Sequence, residues 1–330
     1  MTTRFSEIAG HDRSLGVLRR CLADGRLHHS MIFHGPEAVG KRTVALSLAA
    51  ALNCREGSGE ACGACPSCRK VERQIHPDVR YLTLERTVIP IDAVRKLRDE
   101  AAYRPFEGRR RVFILDPADR MSTDAQNALL KTLEEPSRSS CLILITSRLM
   151  HLLPTTRSRC QLLAFGTMPP SVLTGHLVRL GHRGEAEAAR ASRLAAGRFG
   201  AALELDLEKL ETDRDELIEI LERLSMEGPR AHVLDDTGFF GTETEEIGEG
   251  LTLLAGLVRD MMVLAWGASG EALIHADRTG RLQELAARFS GRLESMLDRV
   301  RMASADLERN VNRKLLLETM MFDLAVPAVP

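Results

Sequence analysis

At 330 residues the chain is long enough for two or three domains, and its 44% hydrophobic content supports ordinary folded cores. Its 45 basic and 46 acidic side chains nearly balance, which excludes a histone-like or tail-type nucleic-acid binder. Aromatic residues make up only 4% of the chain, which argues against a surface on which bases stack. Any contact with DNA must therefore come from a local basic patch.

The compartment is indicated by what the sequence lacks. No run of about 18 apolar residues occurs, so we expect no transmembrane helix and no membrane partner. Residues 1–7 have no apolar segment of the kind found in a signal peptide. These patterns predict a cytoplasmic protein. In that compartment the seven cysteines indicate a metal site or buried thiols rather than disulfides.

Strand and helix signals alternate over residues 1–165. Strand patterns occur at residues 31–34, 79–84, 112–115 and 142–146. Helical spacing of apolar residues occurs at residues 42–52 and 91–103. The last two strands are wholly apolar, which is typical of strands buried on both faces of a parallel sheet. The sequence therefore predicts an α/β domain whose sheet is covered by helices.

Beyond about residue 170 the strand signals stop. Helical periodicity then covers residues 171–180, 185–196, 207–226, 243–266, 282–301 and 305–324. Linkers are predicted at residues 166–170 and 228–241. The predicted plan is an α/β domain at residues 1–166, a small helical domain at 167–228 and a larger helical domain at 229–330.

A phosphate-binding loop is predicted where a strand is followed by Gly35-x4-Gly40-Lys41 and then a helix. Backbone N–H groups of such a loop surround phosphates, and Lys41 would reach the β and γ oxygens. The next residue is Arg42, where a Ser or Thr hydroxyl should ligate Mg²⁺. Thr43 comes one residue later and should point elsewhere along the helix. Binding of ATP and Mg²⁺ is therefore doubtful, and a glycine-rich turn without any ligand is the alternative.

The acidic strand that should accompany the loop ends at Asp116. Its carboxylate can still orient a metal-bound water. Pro117 follows, where a Glu would polarise an attacking water, and it offers neither a side-chain base nor an N–H. Asp119 lies two residues further on, and we expect it to cap the following helix. Both Arg42 and Pro117 argue against intrinsic ATP hydrolysis.

Four of the seven cysteines fall within fifteen positions, at Cys54, Cys62, Cys65 and Cys68. Three thiolates at x2 spacing with one more nearby can surround one tetrahedral Zn²⁺. Because all four ligands are supplied by the chain, such a site is closed and structural rather than catalytic. An iron–sulfur cluster uses the same four thiolates and is one alternative, and incidental reduced thiols are the other.

Several further segments carry a family resemblance. These are residues 5–11, 29–36, 121–136, 153–161 and 310–318. With the cysteine insert after the phosphate-loop helix, they resemble the bacterial clamp-loader subunits of DNA polymerase III, most closely the delta-prime type. The resemblance covers essentially the whole chain. It implies a AAA+ fold with an α/β nucleotide domain, a helical lid and a helical collar that assembles a ring-like pentamer, and it implies Zn²⁺ at the four cysteines.

The resemblance also implies roles for individual residues. Arg159 matches the family's arginine finger, which would project into the ATP site of a neighbouring motor subunit and neutralise charge on the transferring phosphoryl group. A solvated basic turn formed by Arg157 and Arg159 is the alternative. Thr146 falls where the family's sensor strand ends. The lid's sensor arginine would fall at Ala201, which is a third departure from an active ATPase.

The function implied is that of a non-hydrolysing scaffold that completes a neighbour's ATPase site and helps open and load a sliding clamp on primed DNA. Its partners would be gamma/tau-type motor subunits and a delta subunit in a hetero-pentamer, with the sliding clamp contacted indirectly. No polymerase carboxylate site is visible, so we expect no intrinsic enzyme activity, although the chain would belong to the DNA-directed DNA polymerase holoenzyme.

Rival functions and the DNA contact stay open. An ATP-hydrolysing motor subunit of the same loader is the first rival, and a stand-alone zinc-dependent nucleic-acid binder is the second. Basic clusters at residues 95–98 and 109–111 could follow duplex phosphates weakly and without sequence specificity. A solvated face with salt bridges to neighbouring carboxylates is the alternative for both clusters.

Overall fold

The structure is a computed structural model that divides into two compact units, Met1–Leu203 and Glu204–Pro330. It describes residues 4–57, 59–83, 88–137, 139–226, 232–268, 272–307, 309 and 311–325. Leu84, the last residue of one predicted strand, and Asn310, at the start of one family segment, lie outside the described residues. Within them, no helix is long and apolar enough to cross a membrane.

A five-stranded parallel sheet forms the centre of the first unit. Its strands are β1 (Ser30–His34), β2 (Val79–Thr83), β3 (Arg111–Asp116), β4 (Ser140–Thr146) and β5 (Gln161–Ala164). They are arranged in the order β2-β3-β4-β1-β5, and each neighbouring pair is parallel. The carboxyl ends of all five strands therefore meet at one edge of the sheet. The four predicted strands are present, and β5 is an additional strand that its short and partly exposed sequence did not indicate.

Nine helices are described in the first unit. They are α1 (Asp12–Ala23), α2 (Lys41–Asn53), α3 (Pro66–Glu72), α4 (Ile91–Ala101), α5 (Thr123–Glu134), α6 (Pro154–Arg157), α7 (Pro170–Arg179), α8 (Glu185–Leu194) and α9 (Phe199–Glu204). The predicted helices at residues 42–52 and 91–103 correspond to α2 and α4. The predicted helices at 171–180 and 185–196 correspond to α7 and α8.

The two faces of the sheet are covered by different helices. Residues of β4 alternate between the two cores, with Ile143 packing among side chains of α1, α2 and α3, and Leu144 among side chains of α4 and α5. All seven residues of β4 are buried. Burial of both faces explains why the central strands read as continuous apolar runs. The predicted α/β organisation of this part of the chain is confirmed.

The second unit is helical throughout its described residues. Its helices are α10 (Leu207–Leu224), α11 (His232–Asp236), α12 (Thr244–Ala265), α13 (Thr279–Arg288), α14 (Leu293–Leu307) and α15 (Arg313–Leu324). One hydrophobic core joins them, with α12 at its centre through residues such as Leu251, Leu254 and Val258, which are almost fully buried. The all-helical prediction for this region is confirmed.

Helix boundaries in the second unit correct two predictions. The helix predicted at residues 282–301 is two helices, α13 and α14, because the chain turns at Gly291, whose φ of 74° lies in the left-handed region. The helix predicted at 305–324 is interrupted as well, since α14 continues to Leu307 and α15 starts afresh with Asn312 as its cap. The Asn312 side chain accepts a hydrogen bond from the N–H of Leu315.

The two compact units differ from the predicted three-domain division. Helices α7 and α8, from the predicted lid at residues 167–228, lie in the first unit, whereas α10 lies in the second. The division into domains at 1–166, 167–228 and 229–330 therefore stays a prediction, and the boundary at Leu203 and Glu204 is the one that the contacts define.

Candidate functional site

The phosphate-loop segment connects β1 to α2 at the carboxyl edge of the sheet. Gly35 has a φ of 143° and Gly40 a φ of 105°, both in the region that favours glycine. A Cβ added to Gly35 would lie 1.9 Å from the carbonyl oxygen of Phe165. The backbone of this loop therefore needs glycine for packing against the end of β5 as well as for its own conformation.

Lys41 is turned back onto the loop that precedes it. Its Nζ donates to the carbonyl oxygens of Gly35 at 2.6 Å and Pro36 at 2.5 Å, and the residue is only 6% exposed. Burial lowers the pKa of Lys41, and nearby carboxylates, Asp116 first, oppose that shift. The ammonium group is therefore bound by carbonyl oxygens of its own loop.

Arg42 binds the carboxylate that would serve a metal ion. Its Nε lies 2.9 Å from Oδ2 of Asp116, and the hydroxyl of Tyr81 donates to the same oxygen at 2.6 Å. The Arg42 guanidinium also lies over the Tyr81 ring, 5.1 Å from its centroid. Burial and the hydrogen bond to Asp116 raise the pKa of Tyr81, so the phenol stays a neutral donor. A cation of the protein itself therefore occupies the position beside Asp116.

The remaining predicted nucleotide residues are partly brought together. Thr146 ends β4, beside the loop, and its carbonyl oxygen accepts from the N–H of Gly35 at 3.3 Å. Its hydroxyl donates to Oδ1 of Asp119 at 2.6 Å and accepts from the N–H of Arg148 at 2.9 Å. Thr43 is half-buried on α2, one residue past Arg42. Gly35, Gly40, Lys41, Asp116 and Thr146 thus share one edge of the sheet.

Asp119 does not cap the following helix, which corrects the prediction for that residue. It lies in a 3-10 turn at Ala118–Arg120 and accepts from Thr146 instead. The cap of α5 is Ser122, whose side chain accepts from the N–H of Ala125. Ser122 is closer to the helix start, so its hydroxyl reaches the free N–H groups of the first turn.

The four cysteines lie at the other end of α2. Cys54 is the residue after α2, and Cys65 caps α3 by accepting from the N–H of Cys68. The four Sγ atoms all lie within 4.8 Å of one another, and those of Cys62 and Cys68 are 3.9 Å apart. A tetrahedral ion with Zn–S bonds of about 2.3 Å needs sulfurs roughly 3.8 Å apart. The predicted ligands therefore form a cluster of the size that a single metal ion requires.

The electrostatics of the cluster also fit a cation. Burial acts to raise the pKa of Cys65, but N–H groups of Cys68 and Arg55 that point at the sulfur lower the pKa to about 6. The pKa of Cys54 is also lowered, against the effect of burial, by N–H groups that include that of Cys62. Burial raises the pKa of Cys68. Thiols with unequal proton affinity at such short separation would all become thiolates around a bound divalent ion.

Arg159 follows the short helix α6 and pairs with a carboxylate of its own chain. Its Nε and Nη2 lie 2.8 and 2.6 Å from Oε1 of Glu134, at the end of α5. Its Nη1 donates to the carbonyl oxygen of Thr155 at 3.0 Å. The side chain is still 35% exposed. Arg157, by contrast, contacts the sulfur of Met150 through Nη1. The two arginines of this turn therefore have different partners.

Members of both predicted basic clusters pair with neighbouring carboxylates. Arg95 and Arg98 pair with Asp92 and Asp99 along α4. Arg111 lies 3.5 Å from the buried Asp78 and donates to a backbone carbonyl of α4. Salt-bridged faces, the alternative that the sequence left open, account for these three arginines.

Two residues of these sites were not predicted. Tyr81 and Glu134 act as partners of Asp116 and Arg159, and neither belongs to a motif of nucleotide chemistry. Glu134 lies in segment 121–136, and the family resemblance of that segment was the only sequence feature that pointed to this residue. Tyr81 reaches Asp116 because β2 and β3 are adjacent in the sheet, which the sequence alone did not order.

The loop of phosphate-binding type on a parallel sheet, followed by a helical unit, defines an α/β P-loop fold. Residues 10–169 match a family described as "DNA polymerase III, delta subunit", and residues 210–325 match "DNA polymerase III, delta subunit, C terminal". The two matches together span most of the chain. It belongs to the DNA polymerase III clamp-loader subunit family, delta-prime type, as the resemblance predicted.

Curated relatives match about half of the chain or less. The delta-prime subunit of Bacillus subtilis is 33% identical over 166 residues, which is 50% of each chain. That of Pseudomonas aeruginosa is 42% identical over 135 residues, 40% of this chain and 41% of the relative. A gamma/tau subunit of Mycobacterium tuberculosis is 35% identical over 178 residues, 53% of this chain and 31% of the relative. The chain thus spans half or less of the length of these relatives.

Solved structures resemble the chain at lower sequence identity than these relatives. A gamma-subunit-related protein of DNA polymerase III from Thermotoga maritima is 19% identical, covers 94% of this chain and 97% of its own, and has a TM-score of 0.41. The clamp-loader delta protein of Bacillus subtilis is 14% identical, covers 94% of this chain and 98% of its own, and has a TM-score of 0.35.

Proposed function

We propose that this chain is a non-hydrolysing subunit of a DNA polymerase III clamp loader, which supplies Arg159 to the ATP site of a neighbouring subunit. The main observation behind the proposal is that side chains of this chain bind the carboxylate beside its own phosphate loop. Arg42 and Tyr81 both bind Asp116, the carboxylate that ends the acidic strand β3. The loop keeps its shape while the metal position is taken by the protein.

The physical reason concerns the demands of Mg²⁺. This ion requires near-octahedral oxygen ligands at 2.0–2.1 Å and takes them from carboxylates, hydroxyls, waters and phosphates. Here the hydroxyl position is Arg42 and the carboxylate is already paired with it. A bound ion would have to displace a guanidinium whose own positive charge repels it. With Pro117 in place of a base, ATP hydrolysis at this loop lacks both the ion and the group that orients water.

Arg159 provides what a neighbour's site needs. A guanidinium that reaches the transferring phosphoryl group stabilises the charge of the transition state, and its supply by a second subunit makes hydrolysis depend on assembly. Arg159 is partly exposed at the end of a short turn, whereas Arg157 contacts Met150. Both side chains are partly exposed, so the match of Arg159 to the family's motif is what favours it over Arg157 as the finger.

The cysteine cluster fits a structural role for Zn²⁺. A closed set of four thiolates leaves no position for water or substrate, so the ion would link the end of α2 to the start of α3. Thiolate-only ligation also fits an iron–sulfur cluster, and metal analysis separates the two.

The proposed partners follow from the family. They are gamma/tau-type motor subunits and a delta subunit in a hetero-pentamer in the bacterial cytoplasm. The chain would contact the sliding clamp indirectly and primed DNA weakly and without sequence specificity. Its enzymatic contribution would be to the neighbour's ATP hydrolysis, within a holoenzyme whose reaction is DNA-directed DNA synthesis.

The test compares the isolated chain with a loader assembled from its cognate subunits. The isolated chain should hydrolyse no ATP above background. In the assembly, Arg159→Ala should lower DNA-stimulated ATP hydrolysis at the adjoining site, and Arg157→Ala serves as the matched control. Appreciable hydrolysis by the isolated chain would contradict the scaffold, and an unchanged rate in the Arg159→Ala assembly would contradict the finger.

An ATP-hydrolysing motor subunit is the second candidate, because gamma/tau subunits match this chain at 35% identity. That function would require Asp116 to exchange Arg42 for Mg²⁺ when nucleotide binds. Binding of a fluorescent ATP analogue to the isolated chain, measured with Mg²⁺ and with EDTA, separates the candidates. A motor subunit should bind more tightly with Mg²⁺, whereas the scaffold should show weak or metal-independent binding.

A further inference from the structure

The carboxylate of Glu134 is placed to hold Arg159 in one orientation. Oε1 of Glu134 lies 2.8 Å from Nε and 2.6 Å from Nη2 of the arginine. Nη1 is held from the other side by the carbonyl oxygen of Thr155 at 3.0 Å and the hydroxyl of Ser158 at 3.4 Å. All three guanidinium nitrogens therefore have an oxygen of the same chain nearby, and the plane of the group is fixed.

The backbone around Glu134 is itself well anchored. Glu134 is the last residue of α5, and Leu133 before it is 2% exposed in the core beneath the sheet. His29 contacts the carbonyl oxygen of Leu133 through Nε2 at 3.0 Å. Glu135 continues the helical hydrogen bonding through its N–H to Lys131. The carboxylate of Glu134 therefore starts from a fixed position in the fold.

The backbone of Arg159 is fixed in the same way. Its N–H donates to the carbonyl oxygen of Thr156 at 3.2 Å, and the Thr156 residue is fully buried. Two rigid elements, the end of α5 and the turn after α6, thus converge on one guanidinium. The arginine stays 35% exposed and Glu134 is 50% exposed, so a phosphate oxygen of another molecule can still reach the group.

We propose that Glu134 is a positioning residue for Arg159, holding the guanidinium in the orientation in which it meets the neighbour's phosphoryl group. The proposal rests on the proposed function of Arg159 as a finger. A free arginine side chain samples many rotamers, and fixing it before the reaction removes that entropy cost from the transition state. The contribution of Glu134 should therefore appear in the rate of hydrolysis rather than in the binding of ATP.

The test uses the assembled loader carrying Glu134→Ala in this chain. We expect kcat for ATP hydrolysis at the adjoining site to fall roughly tenfold with KM for ATP nearly unchanged. Misplacement of a catalytic group by about 1 Å can cost roughly 10²-fold, and Arg159 keeps its contact with the carbonyl oxygen of Thr155 in this variant. Glu134→Gln keeps an oxygen that accepts from the guanidinium and should restore most of the rate. Glu135→Ala, which removes the neighbouring exposed carboxylate, is the matched control and should behave as wild type.

The outcomes also distinguish the positioning role of Glu134 from the finger role of Arg159 on which it rests. A wild-type or increased rate for Glu134→Ala overturns the positioning role, since an increase would mean that Glu134 restrains the finger instead. Failure of Glu134→Gln to restore the rate overturns it too. An unchanged rate for Arg159→Ala overturns the finger itself. If the positioning role holds, the Arg159→Ala/Glu134→Ala double variant should be no slower than Arg159→Ala alone.

Discussion

Two arginine–carboxylate pairs in the α/β unit, one at the phosphate loop and one at the turn after α6, differ in how exposed the carboxylate is. In the Arg42–Asp116 pair the arginine is 50% exposed, whereas the carboxylate is only 14% exposed and is also held by Tyr81. In the Arg159–Glu134 pair both side chains are partly exposed, at 35% and 50%. The first pair closes a site within the chain, because the buried carboxylate is no longer free for a metal. In the second pair the carboxylate is exposed as well, and the proposed function assigns its arginine to the site of another molecule.

The comparison shows how one kind of interaction can have opposite consequences. In the proposed function, the guanidinium of Arg42 takes the place of the ion that an ATPase needs beside Asp116. The guanidinium of Arg159, held by Glu134, is proposed to serve a second subunit. The following predictions test two points. The first is whether the phosphate loop with Arg42 and Asp116 serves only to hold the fold, and the second is whether Arg159 acts in the ATP site of another subunit.

The largest effect is expected from the cysteine cluster, which holds the far end of the helix that carries Arg42. Cys68→Ser should remove the bound metal, about one ion per chain, and lower the unfolding free energy by several kcal/mol. Elemental analysis and urea unfolding measure the two effects. Cys21→Ser is the control, since Cys21 lies outside the cluster, and equal metal content in the two variants would contradict the site.

Gly35 tests whether the loop is retained for packing. In Gly35→Ala the new Cβ would lie 1.9 Å from the carbonyl oxygen of Phe165, so we expect a loss of roughly 3 kcal/mol of stability without any ligand present. Gly25 also has a positive φ, of 63°, but its Cβ would meet nothing within 4 Å. Gly25→Ala should therefore cost only about 1 kcal/mol. Similar losses in urea unfolding would argue against close packing at Gly35.

Arg42 tests whether the protein's own cation excludes the metal. Arg42→Thr removes the guanidinium from Asp116, which keeps its hydrogen bond from Tyr81, and restores a hydroxyl after Lys41. Mg²⁺ should therefore strengthen ATP binding by about tenfold, or 1.4 kcal/mol. Titration calorimetry with and without Mg²⁺ measures the change. Addition of Asp116→Asn to the same variant should abolish the dependence on Mg²⁺. Strong dependence in the unaltered chain would mean that Arg42 does not block the site.

The smallest effect concerns the strength of the two pairs in the folded chain. Exposed ion pairs contribute about 0–1 kcal/mol, and a double-mutant cycle on Arg159 and Glu134 should give a coupling energy near the upper end of that range, because Glu134 contacts two guanidinium nitrogens. The cycle on Arg42 and Asp116 should give a larger value, because Asp116 is more buried. Unfolding curves of the single and double variants supply both energies. Equal coupling would remove the contrast between the pairs.

The sequence was sufficient for the fold class and for residues that carry their own chemical signature. Wholly apolar runs predicted the central strands, and glycine with lysine predicted the loop. The cysteine spacing predicted a cluster that the structure brings within 4.8 Å. Each of these signals is local. It depends on the periodicity of apolar residues, on the residue types or on the spacing of cysteines within about fifteen residues.

The features that the sequence did not provide are long-range. Tyr81 and Asp116 are 35 positions apart and meet only because two strands are neighbours, and Glu134 and Arg159 are 25 positions apart. Helix breaks were missed for a different reason. The apolar periodicity of α13 and α14 continues across Gly291, so only the left-handed backbone conformation shows where the helix ends.

The most direct measurement is a single-turnover assay of ATP hydrolysis in the assembled loader, with Arg159→Ala and Arg42→Ala compared in the same preparation. If the two arginines act as proposed, Arg159→Ala reduces hydrolysis at one site by about 10³-fold or more, and Arg42→Ala leaves the number and rate of hydrolysing sites unchanged. A loss of hydrolysis with Arg42→Ala, or full hydrolysis with Arg159→Ala, would contradict the assignment of one arginine to this chain's closed loop and the other to its neighbour.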